Sequence, residues 1–223
     1  MRTTATAWGT VHRAVCLSII GSAISVLMLN CASPQFKPLQ KYKPPQNTPK
    51  EFRKLQAGGY VIFFRHTHRK KAKKLVRDDN LGVCKTGTNL SKRGKKEALA
   101  IKATLQKYQI AVGEAIHSPT CRTREMAKLL FGKSSRETRA VIYLKMFKSE
   151  EEMKKLNPEL KKLLSEMPPI AANRVIVSHG NVLIKDLVGF KSVVKEGDAA
   201  IIKPLGNGQY KYEGKIKLKR WLN

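Results

Sequence analysis

Hydrophobic residues concentrate first in two short runs, Tyr60-Val61-Ile62-Phe63-Phe64 and Val175-Ile176-Val177, where β-branched and aromatic types follow one another without polar interruption. Runs of this length, the first preceded by Gly58-Gly59 and both followed by polar residues, predict buried strands. Ala115-Ile116-His117-Ser118 and Val141-Ile142-Tyr143-Leu144 predict two more. Between them the period lengthens. Ala98, Ile101, Leu105 and Tyr108 share one face of a helix over Lys92 to Tyr108, with Ser91 as its N-cap. Arg122 to Phe131 predicts a second helix closed by Gly132, and Glu150 to Leu164 a charged amphipathic one, interrupted near Pro158 and ended by Pro168-Pro169. A capping-box pattern, Thr48-Pro49-Lys50-Glu51, predicts a short helix to Leu55, and a further helix follows Asn181 to Val188. Ala199 to Ile202 and Gln209 to Leu218 predict a hairpin around Asn207-Gly208. Strands alternating with helices predict an α/β fold in three layers, α/β/α, with a mostly parallel central sheet. Lys70 to Thr88 has no period and is expected as a long loop over the strand ends.

The residues before Thr48 follow a different logic. Arg2 and Arg13 are the only Lys or Arg in 1–30, and Ala14 to Leu29 is an uncharged, mostly apolar run of signal-peptide size, so 1–30 are expected to direct export. The run leads into Leu29-Asn30-Cys31-Ala32, similar to a bacterial lipoprotein box, which makes Cys31 the expected lipidation site and a lipid anchor the expected membrane contact. The expected location is periplasmic or membrane-anchored. Residues 31–48 are a Pro-rich tether and 49–223 the folded part. Cys84 and Cys121 are the two cysteines of that folded part, able to pair in an oxidising compartment or to stand as separate buried thiols.

Charge narrows the partners. Lys and Arg number 44 against 16 acidic residues, a net +28, and such a field draws in phosphorylated small molecules or polyanions. No aromatic stacking platform or reading helix accompanies it, so a specific nucleic-acid partner is not expected. Multiply phosphorylated substrates are expected to be preferred, with rates sensitive to salt. No ligand spacing suggests a metal, and no cofactor is expected.

Three predicted strands end in reactive polar residues: Arg65, His66 and Arg69 after the first, His117-Ser118 and then Arg122 after the second, His179 after the fourth. Strand carboxyl ends are where open α/β sheets bind ligands. Guanidinium forks match phosphate oxygens in geometry and charge, and a histidine beside them can act as nucleophile in phosphoryl transfer. His12, His68 and His117 are assigned no chemistry, His117 being read as a strand-end residue packed near the site.

Arg65-His66, Ser118-Pro119-Thr120-Cys121-Arg122 and Ser178-His179-Gly180, with Asn89-Leu90-Ser91 and Gly94 between the first two, resemble the signatures of the histidine phosphatase superfamily, the phosphoglycerate mutase-like branch, and most of all its small exported bacterial members. The resemblance runs from about Gly58 to Pro204. It implies a phosphoglycerate mutase-like fold and a metal-independent phosphomonoester hydrolase of the histidine acid phosphatase kind. His66 would be the phosphorylated nucleophile, Arg65 and Arg122 would hold the phosphoryl oxygens, and His179 would donate to the same group. Arg69 and Thr67 would add substrate contacts, although members usually carry glycine or alanine where Thr67 stands. The same resemblance implies a Cys84–Cys121 disulfide. For the general acid, Glu150, Glu151, Glu152, Asp78, Asp79 and Asp198 are all candidates. The competing expectation is a catalytically weak or inactive lipoprotein of the same fold that binds phosphate or polyanions.

Overall fold

The computed structural model describes residues 47–71, 84, 88–142, 149–183, 188–189 and 194–223, all within one compact unit, Lys43–Asn223. The expectations for the signal segment, Cys31, most of the tether, most of the Lys70 to Thr88 loop and Asp79 lie outside the described residues. Six strands form one sheet: β1 (Val61–Arg65), β2 (Val112–His117), β3 (Ser135–Glu137), β4 (Asn173–Ser178), β5 (Ala199–Gly206) and β6 (Gln209–Ile216). Their order is β3-β2-β4-β1-β5-β6. The first four run parallel; β5 pairs antiparallel with β1 and β6 with β5. Among the described residues run the helices α1 (Lys50–Gln56), α2 (Lys92–Lys107), α3 (Cys121–Phe131), α4 (Glu150–Ser165) and α5 (Leu218–Trp221).

The uniform apolar character of β1 has a structural cause, because both faces of the strand are covered. Ile62 and Phe64 join one core with α1, α2, α3 and Trp221 of α5. Val61 and Phe63 join the other, which Leu160 and Leu164 of α4 complete together with Val182 and Val188. Helices on both faces make the three layers. The hairpin turns at Asn207-Gly208, where φ is +49° and +75°, the left-handed pair that an Asn-Gly turn supplies.

Local differences from the expected elements have physical reasons. Val141 and Ile142 are not strand: Arg139–Val141 is a 3-10 turn capped by Thr138, which buries Ala140, Val141 and Ile142 under the sheet. The third strand is the polar Ser135–Glu137 instead, a sheet-edge element whose three residues pair with β2 and need no apolar pattern. Helix α4 runs through Pro158 without interruption. The N-cap of α1 is Pro49, without a side-chain cap, so the Thr48 capping box does not form. Leu218 leaves the hairpin to start α5.

One cluster of contacts positions the turn after β1. Thr67 Oγ1 donates to Gly94 O at 2.8 Å, Ser91 N donates to His68 O at 2.9 Å and Lys70 N to Asn89 O at 2.9 Å. Ser91 Oγ accepts from Gly94 N at 3.0 Å as the N-cap of α2, and buried Glu97 accepts from His68 N at 3.0 Å. His68, assigned no chemistry, also meets Ser91 Oγ through Nδ1 at 3.0 Å. The Asn89-Leu90-Ser91 and Gly94 pattern is therefore a clasp around the turn. Gly94 has no space for a side chain, since a Cβ there would stand 2.0 Å from His68 O. Gly94→Ala is expected to destabilise the fold by roughly 2–4 kcal/mol, against less than about 0.5 for the exposed Lys96→Ala. Urea unfolding midpoints of the two variants check this, and equal midpoints would refute it.

Candidate functional site

Register brings the reactive residues together. Arg65 pairs with Ser178, and His117 with Val177, so the next residues of β1, β4 and β2 leave the sheet side by side. His66 N donates to Ser178 O at 3.0 Å and Ser118 N to Val177 O at 3.1 Å. The rings of His66 and His179 then stand edge to face with centroids 5.5 Å apart. Helix α3 starts at Cys121 and carries Arg122 in its first turn to the same point.

His66 is 3% exposed. Its Nδ1 faces Thr67 O at 2.9 Å, and because a carbonyl only accepts, Nδ1 carries the proton and Nε2 the lone pair. Burial lowers its pKa most, the Arg122 charge lowers it further, and Arg65 and Arg69 add to this against the Thr67 carbonyl; the result is about 3. A neutral, nucleophilic imidazole is thus maintained far into acid.

His179, 2% exposed, is held at both ring nitrogens. Arg122 Nη2 lies 3.2 Å from Nδ1, and since a guanidinium only donates, Nδ1 accepts. Nε2 then donates to Ser118 Oγ at 2.8 Å. Ser118, Thr120 and Thr123 form a buried hydroxyl cluster behind it, with Thr120 Oγ1 and Thr123 Oγ1 2.8 Å apart. Burial, then the charges of Arg122, His66 and Arg65, push the pKa of His179 well below the usual imidazole range. In this arrangement its acceptor faces Arg122, so it orients the guanidinium, a contact that differs from direct donation to a phosphoryl group.

Arg65 crosses above Gly180. A Cβ at Gly180 would meet Val194 O at 2.8 Å and Arg65 Cδ at 3.1 Å, so only glycine leaves the guanidinium its path. Nη1 donates to Val194 O at 3.2 Å. Two residues on, Glu196 Oε1 lies 3.7 Å from Arg65 Nη2 and 3.4 Å from Arg69 Nε. Gly197 N donates to both Arg65 O and His66 O, which fastens this turn to the end of β1.

Arg65, His66, Arg122 and His179 are therefore contiguous, and Arg69 reaches the cluster through Glu196. Thr67 does not offer its side chain to a substrate: it is fully buried, and its hydroxyl is committed to Gly94. Asp198 is likewise structural, with Oδ2 accepting from Lys195 N at 3.1 Å and Oδ1 from Leu218 N at 2.9 Å. Glu151 stands 75% exposed and pairs with Lys155 one turn along α4, a solvated helix face. Among the described residues no hydrogen bond joins it to His66, His179 or the guanidiniums. Glu152 pairs with Arg139, and Glu150 is the first residue of α4. Cys84 and Cys121 form a disulfide with Cα atoms 5.4 Å apart. The sequence reading missed Glu196 and the roles of the Ser118, Thr120 and Thr123 hydroxyls. Ser118 and Thr120 lie in the Ser118-Pro119-Thr120-Cys121-Arg122 motif, but Lys195-Glu196-Gly197 is an ordinary charged turn with no local signal.

The fold is similar to that of the protein histidine phosphatase SixA complexed with tungstate: 14% identity, TM-score 0.52, covering 72% of this chain and 98% of that one. A phosphoserine phosphatase mutant from Entamoeba histolytica in complex with phosphoserine matches at 12% identity and TM-score 0.49, over 72% of this chain and 98% of its own. The alpha-ribazole phosphatase from Shigella flexneri matches at 15% and 0.48, over 70% and 95%. At these identities the likeness is one of fold. No family model and no curated protein matches the chain.

The lowered imidazole pKa values have a stability consequence. In the unfolded chain both histidines protonate near about 6.5, whereas folded His66 does so only near about 3. Below about pH 6.5 the unfolded state binds more protons, so stability present at neutral pH is lost as pH falls. For His66 alone the loss between pH 7 and pH 5 is about 2 kcal/mol. His66→Asn is expected to lose about that much less than the wild type over this interval, measured by urea unfolding at both pH values. Parallel losses in the two proteins would refute it.

Proposed function

With the histidine phosphatase superfamily fold as the premise, we propose that this protein hydrolyses phosphomonoesters without a metal, through a phosphohistidine on His66. The observation that carries the reading is the tautomer of His66: Nδ1–H is tied to Thr67 O, and the neutral ring keeps a lone pair on Nε2 beside three guanidiniums. Nε2 attacks phosphorus as the ester P–O bond breaks. The leaving oxygen takes a proton and departs as an alcohol. Water then attacks the phosphohistidine and gives a proton back to the group that protonated the leaving oxygen; the P–N bond breaks, and Nε2 recovers its lone pair as inorganic phosphate forms. Arg65 and Arg122 take the charge on the equatorial oxygens, the neutralisation that a divalent ion supplies in metal-dependent enzymes. Ser118 and His179 hold Arg122 in place for this. If Nδ1 of His179 meets the phosphoryl group, it does so as an acceptor, which suits a substrate monoanion bringing its own proton.

The first test is phosphate release from an aryl phosphate by the full-length protein with a chelator present. Turnover is expected to persist in chelator and to fall by at least about 10³-fold in His66→Ala. Turnover that stops on chelation, or that survives in the variant, would refute the phosphohistidine route; phosphate binding without turnover would favour a binding protein of this fold.

The proton for the leaving group is proposed to come from Glu150 or Asp79. Replacing the donor with its amide should lower rates on alkyl phosphates by about 10²-fold or more while sparing aryl phosphates, whose leaving groups need no proton. A rate loss equal for both substrate types in Glu150→Gln and Asp79→Asn would exclude each as the acid.

A further inference from the structure

Glu196 is the carboxylate that the described residues bring against Arg65 and Arg69, and its setting is built rather than incidental. The turn that carries it is fastened to β1 by Gly197 N, which donates to Arg65 O and His66 O, and is stiffened by Asp198, which accepts from Lys195 N. Oε1 lies between the two guanidiniums, at 3.7 and 3.4 Å, and the side chain is 24% exposed. Neither distance makes a tight hydrogen-bonded fork, so the carboxylate does not saturate either guanidinium. An oxyanion arriving at Arg65 would therefore compete with Glu196 for the same charge.

We infer that Glu196 is an internal counter-anion of the phosphate pocket, a positioning residue that lowers the pocket's affinity for phosphate and so favours product departure. The inference rests on the reading of Arg65, His66 and Arg122 as a phosphate site. With Arg65, Arg69 and Arg122 cationic, Glu196 anionic and both histidines neutral, the ligand-free pocket carries +2. A phosphate dianion brings it to zero. Without Glu196 the pocket carries +3, and the dianion no longer meets a neighbouring negative charge. Two effects of removing the carboxylate oppose each other. Loss of orientation would weaken binding, but Arg65 keeps its bond to Val194 O and its packing over Gly180, so most of its orientation survives. Loss of repulsion strengthens binding, and between a carboxylate and a dianion sharing one guanidinium in a half-buried site this term is the larger.

The test is titration calorimetry of inorganic phosphate, and separately of orthovanadate, into the full-length wild type, Glu196→Gln, Glu196→Asp and Glu213→Gln. Glu213 serves as a distant control, an acid on β6 paired with Lys54 and Lys211. Glu196→Gln should bind phosphate about tenfold tighter at about pH 8, where the dianion dominates, with a smaller gain at about pH 5.5, where the monoanion does. Glu196→Asp, which keeps the charge, should stay within about twofold of wild type, and so should Glu213→Gln. Equal or weaker binding by Glu196→Gln, or an equal gain in Glu213→Gln, overturns the inference alone. Absence of anion binding in every protein overturns it together with the phosphate-site reading. Tight binding by Glu196→Gln in a protein that turns over no ester supports the counter-anion while removing the proposed hydrolysis.

Discussion

Between Val61 and Arg65 the backbone of β1 is committed on both sides, to β4 in parallel and to β5 in antiparallel pairing, and both of its faces lie under apolar side chains. A slip of one residue against β4 would exchange the faces of Phe63 and Phe64 and move every apolar residue of the strand into the wrong layer. That cost is spread over two cores, so the register is held far more firmly than any polar contact at the site could hold it. The position of His66 beside His179 follows from it, because each is the first residue past its strand.

Electrostatics at the strand ends depend on that placement in turn. Two imidazoles brought this close, with almost no solvent and with guanidiniums around them, cannot both carry protons near neutrality. Burial dominates both shifts, and the arginine charges reinforce it. The arrangement separates labour by charge: the arginines supply fixed positive charge, while the histidines stay neutral, one presenting a lone pair and the other an acceptor that steers Arg122. A histidine in an exposed loop beside the same arginines would titrate closer to its ordinary value and share its lone pair with water.

What was legible in the sequence was what repeats locally. Burial on two faces makes β1 and β4 uniformly apolar, and the capped, periodic α2 announces itself through Ser91 and its apolar stripe. The cluster of Arg65, His66, Arg122 and His179 was visible because each ends or follows a strand or opens a helix. The elements that were not legible owe their form to partners distant in the chain. Ser135–Glu137 is strand only because the edge of β2 is open to it, and the apolar residues after it are buried by a turn. The resemblance implied a substrate contact for Thr67, yet its hydroxyl is consumed by Gly94, which is adjacent only in the folded chain. Glu196 and Asp198 are neighbours of the same chemical type, but one faces two guanidiniums and the other two backbone amides.

The N-terminus of α2 explains how His66 and Arg122 keep a fixed relation although they lie on different elements. On one side it clasps the turn after His66 through Thr67, His68 and Lys70. On the other it is joined to α3: Leu90 N donates to Glu125 Oε2 at 2.9 Å and Lys95 pairs with Glu125 at 2.6 Å. The Cys84–Cys121 disulfide adds a covalent link from just before α2 to the residue preceding Arg122, and Asn89 Nδ2 donates to Cys84 O at 2.8 Å. Each hydrogen bond contributes only about 1 kcal/mol on average. Their collective effect is geometric, because reacting groups must be held within about 0.5 Å for efficient chemistry. His66 and Arg122 are thus referenced to the same helix end, so a displacement of that end would carry both rather than open the gap between them.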